Sequence, residues 1–105
     1  MTFRTLALLA ALILPGAALA DRIDGDWCAP DGIERVSIEG DKITVAAGRE
    51  IIGAYGRHEF LYELPAESDG AGTKIYMRQL SEEDVEVYRG EAAPVVWHRC
   101  QAVVS

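Results

Sequence analysis

The sequence predicts an all-β domain, a small antiparallel meander of seven or eight strands closed into a barrel or a strongly curled sheet. From residue 33 onward apolar and polar residues alternate in short runs, and turn residues separate these runs at the spacing typical of a meander. The only cysteines, Cys28 and Cys100, lie near opposite ends of this region. A disulfide joining the ends would make the first and last strands neighbours and close the meander. Alternation alone does not distinguish a closed barrel from a two-sheet sandwich.

The first 20 residues have the three-part pattern of a secretory signal peptide. Arg4 gives one positive charge, residues 6–14 form an unbroken apolar run, and Ala18-Leu19-Ala20 offers small residues at the positions that signal peptidase recognises. The run is too short for the roughly 20 apolar residues of a membrane span. We therefore expect cleavage near Ala20, a periplasmic or secreted location, and no stable membrane insertion of the remaining single β-barrel-like domain, residues 21–105.

Removal of residues 1–20 from the 105-residue chain leaves 85 residues, enough for one small domain. Domains of this size bury a modest fraction of their surface and are often cross-linked. In an exported chain, exactly two cysteines favour a Cys28–Cys100 bridge over free thiols or an intermolecular link. That bridge closes a loop of about 73 residues and stabilises the fold by roughly 4 kcal/mol, chiefly by restricting the unfolded chain.

The charge of the exported segment is strongly negative. Of the ten Lys and Arg residues only Arg4 precedes residue 21, so the exported segment has nine basic and 17 acidic residues and a formal charge of −8. Such a chain repels phosphate backbones and anionic membranes and attracts a cationic partner. The sequence thus argues against nucleic-acid binding. An alternative role of the charge is to keep a small exported protein soluble.

The first half of the domain contains three expected strands and a hairpin. The first strand is expected around residues 24–28, where it leads towards Cys28. Residues 35–39 alternate in polarity, a Gly-Asp turn follows, and residues 42–45 alternate again. Two alternating runs joined by a short glycine-containing turn are typical of a β-hairpin.

The middle of the chain adds two strands. Residues 50–56 form an apolar segment that contains Gly53 and Gly56. Glycines inside a strand often mark a bulge or a sharp bend, as a small curled sheet requires. Residues 59–64 alternate once more before Pro65, and the polar, glycine-rich residues 67–72 form the longest expected loop.

Three further strands complete the meander. Residues 74–80 alternate, an acidic turn at residues 81–84 follows, and Val85 and Val87 begin the next run. The last strand is expected at residues 95–101, with Trp97 and Arg99 on one face. A helix is disfavoured, since no stretch keeps apolar residues at three-and-four spacing and glycines and β-branched residues are frequent.

Gly25-Asp26-Trp27 at the first strand and Arg99 on the last resemble the Gly-x-Trp and terminal arginine of the calycin-like barrels. The resemblance implies that Trp27 closes one end of the barrel and that the Arg99 side chain packs across its ring, with Gly25 and Trp97 in structural roles. Exported bacterial inhibitors of metalloproteases and of lysozymes are similar in format. In the metalloprotease inhibitors the disulfide joins nearby early strands and a free N-terminal segment inhibits, whereas after the expected cleavage only Asp21-Arg22-Ile23-Asp24 precedes Gly25 here. No inhibitory residue is therefore assigned.

Candidate chemistry is sparse. His58 and His98 are the only histidines and the only candidates for a metal site, and neither has ligands at recognised zinc spacing. The serines lack the sequence context of a nucleophile, and both thiols are expected to be in the disulfide. The sequence therefore predicts a protein without catalytic residues, metal or cofactor. The alternative is that His58 and His98 have structural roles and bind no metal.

Tyr76 and Tyr88 alternate with the aliphatic residues of their strands, and Arg78 lies beside Tyr76 on the same parity. These three residues are the expected partner surface, although packing on the outer face of the sheet would explain the tyrosines equally well. The function expected from the sequence is a non-catalytic binding or inhibitor module for a basic protein such as a lysozyme or protease. The alternatives are a carrier of a small ligand or metal and a passive envelope component, and the oligomeric state stays open.

Overall fold

The computed structural model describes residues 22–101, and the predicted signal peptide and its cleavage site lie outside them. Nine β-strands account for most of this region, with a single 3-10 turn at Ala46–Gly48. The strands are β1 Gly25–Cys28, β2 Arg35–Glu39, β3 Lys42–Val45, β4 Arg49–Ile52, β5 Ala54–Gly56, β6 Glu59–Glu63, β7 Lys74–Gln79, β8 Asp84–Arg89 and β9 Val95–Arg99. The described residues contain no helix long and apolar enough to span a bilayer.

All nine strands belong to one antiparallel sheet in the order β4-β3-β2-β1-β9-β8-β7-β6-β5. Sequence neighbours pair everywhere except between β4 and β5, which are the two edges of the sheet. The one pairing between strands distant in sequence joins β1 to β9, through Trp27 with Arg99 and Cys28 with His98. The Cys28–Cys100 disulfide spans the same junction, with the two Cα atoms 5.0 Å apart. The predicted all-β meander, its single bridge and the adjacency of its end strands are confirmed, and the sheet forms a nearly closed barrel.

The nine strands exceed the expected seven or eight, and a division at Gly53 accounts for one additional strand. The segment expected as one strand at residues 50–56 is divided at Gly53 into β4, which pairs with β3, and β5, which pairs with β6. The Gly53 N–H donates to Asp41 O at 2.9 Å. The two edge strands, β4 and β5, are thus consecutive in the chain. The backbone at Gly53 connects them at the place where no strand pairing closes the barrel.

Alternate residues along the strands face inward and fill the barrel, as the polarity pattern predicts. The core holds no buried polar or charged residue among those described. Because the interior is occupied by side chains, a ligand could enter only at an end or on the outside of the barrel. The largest fully buried side chains are Ile23, Trp27, Ile43, Phe60, Ile75, Met77 and Val85.

The two ends of the barrel differ. At the closed end β1 begins, β9 ends, and the 22–24 segment lies across the barrel. At the open end are the 29–34 turn, the 64–73 loop and the 90–94 loop. The β2–β3 turn lies at the closed end, where Gly40 has φ +59°; this is the first central position of a two-residue hairpin loop, at which type II′ turns require a positive φ.

Substitution of Gly53 by alanine is expected to destabilise the protein by about 2 kcal/mol, within the range for overpacking a core. A Cβ at residue 53 would lie 2.5 Å from both Leu61 O and Phe60 Cε1, and neither the paired backbone nor the buried ring can easily move. Urea denaturation followed by circular dichroism measures the loss. Gly56→Ala is the matched control because its Cβ would meet mainly the flexible Glu59 side chain. An equal loss in both variants would contradict the close-approach explanation.

Candidate binding surface

A row of apolar and aromatic residues crosses the outside of strands β5 to β9. The pairing register places Ala54 opposite Leu61, Leu61 opposite Tyr76, and Tyr76 opposite Tyr88. Residues directly opposite each other in antiparallel strands project from the same face of the sheet. Val96 of β9 lies opposite Glu86 of β8 and so projects from the same face as Tyr88. We call Leu61, Tyr76, Tyr88 and Val96 the outer row.

The two tyrosines of the outer row contact each other and are held at their hydroxyl ends. Their ring centroids are 5.8 Å apart with the planes tilted by 39°. The Tyr76 hydroxyl donates to Glu59 Oε1 at 2.8 Å, and this bond is the main cause that raises the pKa of Tyr76. The Tyr88 hydroxyl donates to Glu86 Oε1 at 2.9 Å. Both rings are therefore fixed, so that a partner would lose little side-chain entropy on contacting them.

Arg78 belongs to the same network. Its Nη2 donates to Glu86 Oε1 at 2.8 Å, the same oxygen that accepts from Tyr88, and β7 places Arg78 two residues from Tyr76. The structure thus brings together the three residues Tyr76, Arg78 and Tyr88 that the sequence proposed as a partner surface. Their side chains also pack across neighbouring strands, as the alternative explanation required.

The outer row has an exposed apolar centre and a charged border. Leu61 is 40% exposed and Val96 38% exposed, and Ile52 at the end of β4 is 67% exposed beside a depression shared with Leu61. An apolar centre with a polar rim is the usual anatomy of a protein interface. Around the row, the four carboxylates of Glu59, Glu63, Asp84 and Glu86 outnumber the basic side chains, which are Lys74, Arg78 and His98.

Arg99 and Trp27 form the closed end of the barrel rather than a site. The Arg99 Cζ lies 4.1 Å from the centroid of the Trp27 ring, and the guanidinium donates to Asp24 O at 2.5 Å, Arg22 O at 2.7 Å and Glu82 O at 2.7 Å. The Trp27 indole N–H donates to Ile23 O at 2.8 Å. These contacts hold the 22–24 segment across the barrel end.

Glycine at position 25 permits this arrangement. Gly25 has φ +119°, and a Cβ there would lie 2.5 Å from Arg99 Nη1. Next to it, Asp24 accepts hydrogen bonds from the Gly40 N–H at 2.9 Å and from the Tyr55 hydroxyl. Burial pushes the pKa of Asp24 upward, but these hydrogen bonds outweigh it and hold the pKa below its ordinary value. The other residue expected to be structural, Trp97, is buried in the core.

The two histidines lie apart from any ligand cluster. His98 on β9 contacts Asp84 Oδ1 through Nδ1 at 2.6 Å, and Ser81 donates to the other oxygen of Asp84 at 3.2 Å. Here the carboxylate stands between serine and histidine, whereas nucleophilic catalysis needs the histidine beside the serine. His58 lies in the turn between β5 and β6. Across residues 22–101, no three His, Cys, Asp or Glu side chains are grouped to hold a metal ion.

At the open end an ion pair crosses the barrel mouth, which sequence reasoning missed. Arg89 Nη2 at the end of β8 contacts Glu34 Oε2 beside the start of β2 at 2.8 Å. Both residues line two depressions, of about 350 Å³ and 240 Å³, and Tyr62 lies in the second. Burial raises the pKa of Tyr62 to about 12, so its phenol is neutral at physiological pH. Because Glu34 and Arg89 are 55 positions apart in sequence, there is no local signal for this pairing.

No protein-family model, curated protein or solved structure matches this chain.

Proposed function

We propose that the protein is a non-catalytic, exported binding module that docks a basic protein on the outer row. The observation that carries the proposal is the fixed tyrosine pair, flanked by exposed Leu61 and Val96 and bordered by more carboxylates than basic groups. Tyrosine is enriched among residues that dominate interface energies, because a rigid ring gives a large contact area at low entropic cost. The acidic border directs this surface towards a cationic partner.

The charge of the whole chain supports the same class of partner. The formal net charge is −7, and at least six basic side chains of residues 22–101 each contact a carboxylate. With these basic groups paired, the surplus charge lies on acids at the surface. The pairs are Arg35–Asp26, Lys42–Glu50, Arg49–Glu67, Lys74–Glu63, Arg78–Glu86 and Arg89–Glu34. A negative field of this kind accelerates encounter with a basic protein, and salt screens it.

A calycin-like identity remains part of the proposal. It is supported by the Arg99 guanidinium over the Trp27 ring at the end of an antiparallel meander. By that resemblance, a secreted lysozyme or protease is the first partner to test. Export through a cleaved signal peptide is likewise proposed, and a Cys28–Cys100 disulfide is compatible with an oxidising compartment.

The test begins with the oxidised segment 21–105 as bait for soluble envelope and secreted proteins of the producing cell, with lysozyme measured directly. The affinity of the retained basic protein is then measured by calorimetry for the unaltered chain, for Tyr76→Ala, and for the control Ile33→Ser. Ile33 is 85% exposed and lies in the open-end turn, away from the outer row.

Tyr76→Ala is expected to weaken binding about tenfold or more, as for an interface anchor, whereas Ile33→Ser leaves the affinity unchanged. Affinity should also fall between about 50 mM and 500 mM salt because screening shortens the reach of the acidic surface. Equal affinity of the Tyr76→Ala variant and the unaltered chain would place the partner elsewhere. An affinity that salt does not alter would reject the electrostatic part, and retention of no basic protein would reject the proposal.

A further inference from the structure

The larger depression at the open end lies apart from the outer row and has a different chemistry. Its volume is about 350 Å³, within the range of small-molecule sites. Apolar side chains form most of its lining, with Trp97 and Val87 from the strands and Ala92 and Val95 from the 90–94 loop and the start of β9. The wall facing them is the turn that follows β1.

That turn brings two carboxylates to the rim of the pocket. Glu34 is paired with Arg89 at 2.8 Å, which also lines the pocket. Asp31 is fixed by its own turn, because its Oδ1 accepts from the backbone N–H groups of Ile33 at 2.8 Å and Glu34 at 3.1 Å. These two bonds lower the pKa of Asp31 and keep it ionised. With the residues that the structure describes, Asp31 forms no salt bridge.

The polar rim therefore carries two negative charges and one positive charge, and the positive charge is already in an ion pair. A carboxylate ligand would have to displace Glu34 from Arg89 and would then lie close to both acids. A cation needs no such displacement, since it can approach Asp31 directly. Because the remaining lining is apolar, the cation must also carry an apolar body in order to gain binding energy from the pocket.

We propose that this pocket binds a small organic cation, an alkyl- or arylammonium ion whose apolar body lies against Trp97, Val87 and Val95 and whose ammonium group contacts Asp31. The Asp31 turn fixes the position of the charge before the ligand arrives. The apolar wall then selects ammonium ions with a hydrocarbon chain or ring over small inorganic cations. This activity is separate from the proposed protein partner, because neither Tyr76 nor Tyr88 lines the pocket.

The test uses three probes of similar size and shape: hexylammonium, hexanol and hexanoate. The oxidised segment 21–105 is titrated with each probe, and binding is followed by ¹H–¹⁵N shifts of Ala92 and Val95 and by tryptophan fluorescence, since Trp97 lines the pocket. Hexylammonium is expected to give saturable changes at these residues. It should bind about tenfold more tightly than hexanol, equivalent to one charge-assisted contact.

Asp31→Asn removes the charge and keeps an oxygen that can accept the two turn hydrogen bonds. It should weaken hexylammonium about tenfold and leave hexanol unaffected. The matched control is Asp41→Asn, which removes the same charge from the β2–β3 turn at the closed end and should leave both affinities unchanged. Any one of four results would overturn the proposal. These are equal binding of hexanol and hexylammonium, tighter binding of hexanoate, absence of binding by all three probes, and equal effects of the two substitutions.

Discussion

Replacement of both Cys28 and Cys100 by serine is expected to lower the free energy of unfolding by about 4 kcal/mol, close to the whole stability of many small domains. The bridge closes most of the described chain into one loop, since the two cysteines are 72 positions apart in sequence. It also clamps the shortest junction of the sheet, where β1 and β9 share only two paired positions. Denaturant unfolding of the variant and of the oxidised chain measures the difference.

Two controls separate the cross-link from the sulfur atoms. The reduced and alkylated natural sequence should be as unstable as the serine variant, since both lack the bridge. Ser37→Ala on the neighbouring strand β2 removes a hydroxyl that donates to Asp26 at 2.7 Å and should cost only about 1 kcal/mol. A loss below about 1 kcal/mol for the serine variant would show that the β1–β9 junction holds without covalent support.

Arg99→Ala is the second substitution with a large expected effect, a loss of about 3 kcal/mol of unfolding free energy. The guanidinium makes hydrogen bonds to the carbonyl oxygens of Arg22, Asp24 and Glu82, and its removal leaves these acceptors without that donor. It also uncovers the ring of Trp27. Thermal unfolding and near-ultraviolet circular dichroism should report both the loss of stability and a changed tryptophan environment.

Arg35→Ala provides the matched comparison, because Arg35 forms an exposed ion pair with Asp26 at 3.1 Å. It is expected to cost less than about 1 kcal/mol, as exposed ion pairs do. Arg99→Lys should recover only part of the stability, since one ammonium cannot reproduce the planar fork that reaches several carbonyls. Similar losses for Arg99→Ala and Arg35→Ala would mean that the closed end depends on packing alone.

Alternation within each strand was enough to predict most of the fold. The residues with apolar parity on β2, β6, β7 and β8 are the buried ones, because side-chain direction in a strand depends only on local backbone geometry. The two cysteines supplied the one long-range fact, that β1 lies beside β9. The opposite parity placed Tyr76 and Tyr88 on the outside.

What the sequence could not predict depends on contacts between distant strands. Gly53 indicated a bulge or bend, but the sequence did not indicate that the chain changes its partner strand there. That change depends on how closely Phe60 and Leu61 approach the bend. Likewise, Glu34 and Arg89 meet because β2 and β8 face each other across the barrel mouth. The pocket beside Asp31 arises from the same juxtaposition of a turn and a loop, so no spacing of residues along the chain could indicate it.

The adjacency of β1 and β9 makes the order of the strands circular. Every strand is hydrogen-bonded to a sequence neighbour and the last strand pairs with the first, while the backbone at Gly53 joins β4 and β5, the two neighbours that are not paired. A circular permutant, in which a short linker joins residue 101 to residue 22 and the chain is opened within the 66–72 loop, would retain every strand pairing. No strand of this barrel must be synthesised first, and the point at which the polypeptide starts is independent of the architecture that it forms.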